Sequence, residues 1–494
     1  MSNFLIQGLY VAAVIGLAVF GLHRYFLLWL HWRHRGNAAE PQGHFEEVPV
    51  VTVQLPVFNE RHVVERLLRA AAALDYPRDR LEIQLLDDST DDTPVVVAPI
   101  IEELRADGAD IKHIRRADRV GYKAGALAVG VSCARGEFIA VFDADFVPEP
   151  DFLRRSVHYF TDPTVGMVQC RWGHINRGYS LLSRVQAILL DGHFLVEQEA
   201  RFRAGRFFNF NGTAGVWRTE AIEDAGGWQH DTLTEDLDLS YRAQLRGWHF
   251  VFDSRLVVPA ELPVEMNAYK TQQHRWAKGS IQTARKLLPQ IWRSRIHFRQ
   301  KVEATFHLTS NICYLFMLMP SLLALPLLPL RHSVFGIEAV LLYGASFVLA
   351  TLSVVAFYRV VGRESGEPVG WAWSAVLMSV GIGLSFNNAR AVIEALVGNV
   401  SGFERTPKYR IESTLDRWRH KAYAGSRGRY RYVEVALGAY FSVAIGFALE
   451  CAYWGAIPFL LFFGLGFAYV GICSVQESRG AARHSSMAAM ATGP

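Results

Sequence analysis

Two acidic pairs carry the first chemical signal in this 494-residue chain: Asp87 and Asp88 open "DDST", and Asp143 and Asp145 frame "DAD". An Asp-x-Asp spacing sets two carboxylates close along the backbone, where they suit a hard divalent cation that also holds a diphosphate. Turn formation is the plainer reading of either pair alone, because "DDSTDD" is full of turn formers. Both pairs close predicted strands, and together they favour a nucleotide-diphosphate site. A third pair, Glu235 and Asp236 in "TED", precedes the amphipathic "LDLSYRAQLRG", where a helix N-cap is one available role. Further on, "TQQHRWAKGS" spaces Gln272, Arg275 and Trp276 at i, i+3 and i+4, on one helix face. A membrane-surface helix would turn Lys270, Arg275 and Lys278 to headgroups and Trp276 to the aromatic belt. That reading leaves Gln272 unexplained.

The elements that must position these groups alternate between strand and helix patterns. Apolar strands are expected at 48–56, 81–88 and 136–145, with helices at 60–74 and 93–107 and a helix-like "KAGALAVGVSCA". Buried strands alternating with helices predict a Rossmann-like parallel, doubly wound α/β sheet whose ligands bind at the strand C-terminal ends. No GxGxxG follows the first strand, which argues against a dehydrogenase-type dinucleotide site.

Apolar residues make up 51% of the chain and are unevenly placed. Residues 40–300 have globular composition, whereas 5–30 and 306–475 contain long apolar runs. A hydrocarbon core needs roughly 20 apolar residues per helix, so the chain reads as an integral membrane protein with an α-helical transmembrane bundle. Positive charge follows the first run (Arg24, Arg33, Arg35), which makes it an anchor with its C-terminal end in the cytoplasm. Spans are expected at 306–330 and 339–361, joined by a turn at "RHSVFG", and at 432–449 and 452–475. Residues 371–396 read as an interfacial or re-entrant helix, because the basic loop at 387–431 then stays cytoplasmic. That gives five spans, and the Ala/Ser/Gly-rich tail after Val475 is expected to be disordered. The net charge of +4 is too small and dispersed to argue for nucleic acid. The five cysteines form no CxxC pair and read as buried, reduced thiols.

Seven motifs occur in order: "LPVFNE", "DDST", "RVGYKAGAL", "DAD", "FNGTAGVWR", "TED" and "QQHRW". In this series the chain resembles the processive family 2 glycosyltransferases, and within them the cellulose-synthase-like β-mannan and β-glucan synthases of the plant glucomannan-synthase type and bacterial relatives. The resemblance covers roughly residues 48–288. It implies a GT-A nucleotide-sugar-binding domain and an inverting, metal-dependent hexosyltransferase using Mg²⁺ or Mn²⁺. The donor would be UDP-glucose or GDP-mannose and the acceptor a growing β-linked polysaccharide, passed through the enzyme's own membrane helices.

The resemblance also assigns residues. Asp236 matches the general base, with Glu235 beside it. Pro56, Asn59, Glu60, Asp87, Asp88, Lys123, Asp143 and Arg275 match the nucleotide-sugar site, and Asp143 and Asp145 the metal pair. Gly212, Thr213, Gln272 and Trp276 match the acceptor site, the small residues of "FNGTAG" allowing close approach of a sugar. Trp217 is open between core and sugar platform. "GFERTPKY" resembles the gating loop of cellulose synthases through Phe403, Thr406 and Lys408, with Arg405 where an apolar residue is usual; a basic juxtamembrane loop meeting anionic lipid is the competing reading.

The implied organisation is an anchor (1–36), a cytoplasmic catalytic domain (37–262), interfacial helices with QxxRW (263–300), a transmembrane hairpin (301–366), a re-entrant helix and gating-type loop (367–431), a second hairpin (432–475) and a tail (476–494). The protein would be multi-pass, in a bacterial inner or plasma membrane, with room for accessory export subunits and no regulatory domain of its own. Two other readings stand beside the polymer synthase: transfer of one sugar to a lipid, resembling ceramide glucosyltransferase, and a nucleotide-binding receptor or transporter.

Overall fold

The computed structural model describes residues 2–36, 38–327, 337–399, 402–421 and 430–491. The "RHSVFG" turn and Arg427 and Arg429 of the basic loop lie outside them. At the centre is one seven-stranded sheet: β1 (Val51–Val57), β2 (Leu81–Asp87), β3 (Ile111–Ile114), β4 (Phe138–Val141), β5 (Val165–His174), β6 (Gly215–Arg218) and β7 (His249–Ala260). Their order is β3-β2-β1-β4-β6-β5-β7. β1, β2, β3 and β4 run parallel, and Val57 at the end of β1 is level with Asp87 at the end of β2. β1 and β4 are buried almost throughout because helices cover both faces of the sheet. The wholly parallel sheet expected from the sequence does not hold: β6 runs antiparallel between β4 and β5. Four residues, "GVWR", are too few to show direction in a hydrophobic pattern. Trp217 of β6 is fully buried against Phe210, Trp228 and Phe250, so it belongs to the core.

Helix Met266–Arg293 leaves the sheet and carries the QxxRW face. Its lysines do not reach for headgroups as a surface helix would require. Lys270 is buried and paired with Glu434, and Lys278 is fully buried with its Nζ 3.0 Å from Glu394. Buried ammonium groups need such partners, and here the partners come from the helices behind.

Among the described residues, five helical segments are long and apolar enough to cross a membrane: Gly8–Arg33, Phe298–Pro326, Gly344–Glu364, Tyr432–Glu450 and Trp454–Arg479. The segment read as re-entrant forms two helices, Trp371–Gly383 and Ser385–Leu396, bent by 46°. The tail differs from expectation, since the last helix continues past Val475 to Ala491. Its alanine-rich sequence favours helix, and Glu477 ties down its first turns by accepting from the Met266 and Asn267 backbone amides at 2.7 and 3.0 Å. Cys133 and Cys451 are exposed rather than buried.

The sheet domain and the apolar helices meet through buried charge. Arg201 donates to Glu303 at 3.0 Å, with 3% and 2% of the two side chains exposed, and His23 of the first helix meets the other oxygen of Glu303 at 2.9 Å. Removing one member of a buried pair strands the other, at about 3–5 kcal/mol. Glu303→Ala is therefore expected to lower the thermal midpoint of the detergent-solubilised protein well below that of a surface control such as Glu102→Ala.

Candidate active site

The site lies at the C-terminal edge of β1, β2 and β4, where the loops that follow must carry polar groups. After β4, Asp143 and Asp145 project into a cleft. Thr213, fully buried, accepts from the Asp143 amide at 2.9 Å and so fixes that loop. Lys123, in the first turn of helix Tyr122–Ser132, donates to Asp143 at 2.5 Å and to the Gly212 carbonyl at 2.9 Å. Burial opposes its charge, but Asp143, Glu235 and Asp236 hold its pKa above the usual lysine range.

Glu235 and Asp236 begin helix Glu235–Leu245, whose positive end faces the cleft. Thr234 makes no side-chain cap there, and Asp236 uses Oδ1 to accept from its neighbour's amide, Leu237 N, at 2.8 Å. Burial first, and then the Glu235 charge, push Asp236 up to about 7. Gly212 sits beside it in a left-handed conformation (φ 84°), and a Cβ there would stand 3.0 Å from Asp236 Oδ2. The glycine is required on both counts.

Gln272, Arg275 and Trp276 face the same cleft from helix Met266–Arg293. Residues 402–409 close over it. Arg275 donates to the Glu404 carbonyl at 2.8 Å, with its guanidinium 4.5 Å from the centre of the Phe403 ring. Arg405 forks onto Glu60 at 2.8 and 2.6 Å, and Lys408 reaches Asp145 at 2.5 Å. Burial pushes Glu60 up to about 7 against the pull of Arg405. The loop is anchored below by Tyr409 and Ile411, both buried, and by the Tyr409 hydroxyl on Glu265 at 2.9 Å.

Pro56, Glu60, Asp88, Lys123, Asp143, Asp145, Gly212, Glu235, Asp236, Gln272, Arg275, Trp276, Phe403, Thr406 and Lys408 thus all line one cleft. Three anticipated contacts stand behind its wall. Asn59 (φ 57°) accepts from Thr90 N at 2.8 Å and Asp91 N at 3.2 Å, stapling two loops together. Asp87 is buried, accepting from Ser89 N and meeting His113 Nε2, each at 2.9 Å. Thr213 supports Asp143 from within. Asp88 remains on the wall, held by the Arg116 guanidinium.

Sequence reasoning missed Arg119, Glu261 and Trp172, which also line the cleft. Arg119 stacks on Phe58 with its guanidinium carbon 3.2 Å from the ring centre. Glu261 follows β7 as the other acids follow β1, β2 and β4, and that position was its available signal.

Among the described residues no group of three or more His, Cys, Asp or Glu could hold a metal ion by itself. Asp143 and Asp145 each hold a lysine ammonium, so this hard-oxygen pair already binds positive charge. Two carboxylates plus phosphate oxygens are the usual donor set for Mg²⁺-type ions at phosphate sites, and the pair fits such an ion.

A mixed sheet with acids gathered at strand C-terminal ends, and a helix start bearing a carboxylate of raised pKa, defines a GT-A-type fold. Residues 49–279 match the family described as "Glycosyltransferase like family 2". "Glucomannan 4-beta-mannosyltransferase 2" of Arabidopsis thaliana is 46% identical over 264 residues, 52% of this chain and 49% of that protein. "Glucomannan 4-beta-mannosyltransferase 1" of Oryza sativa subsp. japonica is 43% identical over 263 residues, 52% of this chain and 50% of that protein. The chain spans about half the length of the curated relatives it matches. The mannosyltransferase PcManGT of Pyrobaculum calidifontis, solved with GDP-Man and Mn²⁺, shares the fold: TM-score 0.54 and 22% identity, over 79% of this chain and 100% of that one.

A divalent ion at Asp145 would have to displace Lys408 from the same carboxylate. Lys408→Met is expected to tighten Mn²⁺ binding to the nucleotide-free protein by about tenfold, equivalent to ~1.4 kcal/mol. Electron paramagnetic resonance of free Mn²⁺ measures this, and an unchanged affinity would separate the lysine from the metal pair.

Proposed function

We propose that the chain is a membrane-embedded inverting hexosyltransferase that moves a hexose from a nucleotide sugar to a growing β-linked polysaccharide. The observation that carries this reading is the position of Asp236 on the wall shared by two cavities. One is the cleft described above. The other begins at Trp172, Asn211 and Trp276 and runs to Tyr314, Phe357 and Tyr358, on helices of the apolar bundle. A donor in the first cavity and an acceptor in the second would meet at Asp236.

Asp236 takes the proton of the attacking hydroxyl, and a carboxyl with pKa about 7 is matched to that task near neutral pH. Arg275 presents a guanidinium fork to the leaving diphosphate, and Trp276 an apolar ring to the terminal acceptor sugar. Asp143 and Asp145 would hold Mn²⁺ or Mg²⁺, which offsets the charge developing on the diphosphate. Phe403, Thr406 and Lys408 belong to a loop that covers the donor and excludes water. Glu60 and Asp88, with Pro56 near the end of β1, line the nucleoside end.

The mannosyltransferase names of the relatives, and GDP-Man and Mn²⁺ in PcManGT, favour GDP-mannose over UDP-glucose as donor. The basic loop supports a cytoplasmic catalytic domain, and the cavity running into the bundle supports export of the product. Organisation follows the boundaries given above, except that the tail begins as helix.

The test is incubation of the purified protein in nanodiscs with radiolabelled GDP-mannose or UDP-glucose. A polymer is expected, with Asp236→Asn slower by about 10²- to 10⁴-fold. Because the base works only when ionised, wild-type transfer should rise with pH up to about 7 and level off above it. A single-sugar lipid product would replace the polymer reading, and wild-type rates in Asp236→Asn would remove the base.

A further inference from the structure

Helix Leu181–Gly192 does not end at His193 but widens into a π-helical turn, His193–Gln198, before returning to α-helix at Glu199–Arg203. Such a turn carries an extra residue, strains the local hydrogen bonding and is found often at functional sites. Here it sets His193 against the loop beside Asp236, with Glu197 behind it. His193 Nε2 lies 2.8 Å from Asn211 Nδ2, and His193 Nδ1 lies 3.8 Å from Glu197 Oε2. Glu197 in turn lies 3.5 Å from Arg201. Burial works against the charge on Glu197, but the His193 ring and the Arg201 and Arg24 charges outweigh it and hold its pKa well below the usual carboxylate range.

These contacts fix an orientation. An amide nitrogen can only donate, so with Asn211 Nδ2 at 2.8 Å the Nε2 atom accepts and the imidazole proton sits on Nδ1, the nitrogen that faces the Glu197 carboxylate. The amide is set with Nδ2 toward His193 and Oδ1 away from it. Asn211 Oδ1 has no hydrogen-bond partner among the described residues. Asn211 is also one of the few residues lining both cavities, and its neighbour Gly212 packs against the Asp236 carboxylate. A shielded, unpaired acceptor at that junction calls for a donor that arrives with a ligand.

We propose that Asn211 orients the acceptor sugar, its Oδ1 accepting a hydrogen bond from a hydroxyl next to the attacking one, with His193 and Glu197 as positioning residues that hold the amide. The inference rests on the glycosyl-transfer reading and adds to it the recognition of a polyhydroxylated, neutral acceptor. No covalent step is added, because Asp236 still takes the proton.

The decisive readout is the partition of donor between transfer and hydrolysis. With GDP-mannose and a β-1,4-linked manno-oligosaccharide, Asn211→Ala should lower the transfer-to-hydrolysis ratio by about 10- to 100-fold, the scale of a misplaced reactant. The KM for donor should hold. His193→Ala should move the ratio in the same direction, and His193→Gln, whose carbonyl can still accept from the amide, should recover part of it. The double variant Asn211→Ala/His193→Ala should be no worse than Asn211→Ala, since His193 acts through Asn211. Retained hydrolysis reports that the variants are folded. An unchanged ratio in Asn211→Ala, loss of hydrolysis together with transfer in both single variants, or multiplicative losses in the double variant would overturn the proposal and leave the glycosyl-transfer reading standing. Absence of both reactions in the wild-type protein would overturn both.

Discussion

The charge balance around Lys123 is the constraint on which the rest of the site depends. Asp143, Asp145, Glu60, Glu235 and Asp236 converge at one edge of the sheet, a place where unpaired ionised carboxylates would be strongly disfavoured. Lys123 holds Asp143, Lys408 holds Asp145, and Arg405 holds Glu60. Asp236 makes no ion pair among the described residues. Burial and its neighbour Glu235 outweigh the Leu237 amide and the Lys123 charge, and its pKa rises toward neutrality. The pairing of Asp143, Asp145 and Glu60 leaves the adjacent Glu235 and Asp236 to act on each other, and Asp236 is the one placed where the two cavities meet.

The second dependence is mechanical. The helix that carries Gln272, Arg275 and Trp276 is tied to the apolar bundle along its length. Glu477 caps its first turn, Glu434 pairs Lys270, and Glu394 pairs Lys278. The face that meets the cleft therefore keeps its position relative to the helices that would carry product away. The covering loop has a different design: Tyr409 and Ile411 are fixed, while Phe403, Arg405 and Lys408 make contacts that a nucleotide and a metal would exchange for their own.

The sequence made legible what is local and periodic. The acids at the ends of β2 and β4, the QxxRW face and the apolar runs follow from spacing, strand ends and composition. Whether a residue lines the cleft or stands behind it was harder to read. Asn59 and Asp87 occupy motif positions, yet the left-handed turn at Asn59 directs its amide to Thr90 and Asp91, and His113 draws Asp87 inward. Contacts between distant segments left no local trace either. Trp172 and Glu261 come from strands far along the chain, and the His193–Asn211 pair depends on a π-helical turn that no hydrophobic pattern announces. The antiparallel β6 was hidden because a four-residue strand covered on both faces has no direction in its sequence.

The central claim is that one base, with no covalent enzyme intermediate, directs hydroxyl attack at the anomeric carbon. Proton NMR of the bond formed from an α-linked nucleotide sugar tests it directly. A β-linked product is predicted, as a single displacement inverts the centre. An α-linked product would mean retention, and would contradict the role given to Asp236.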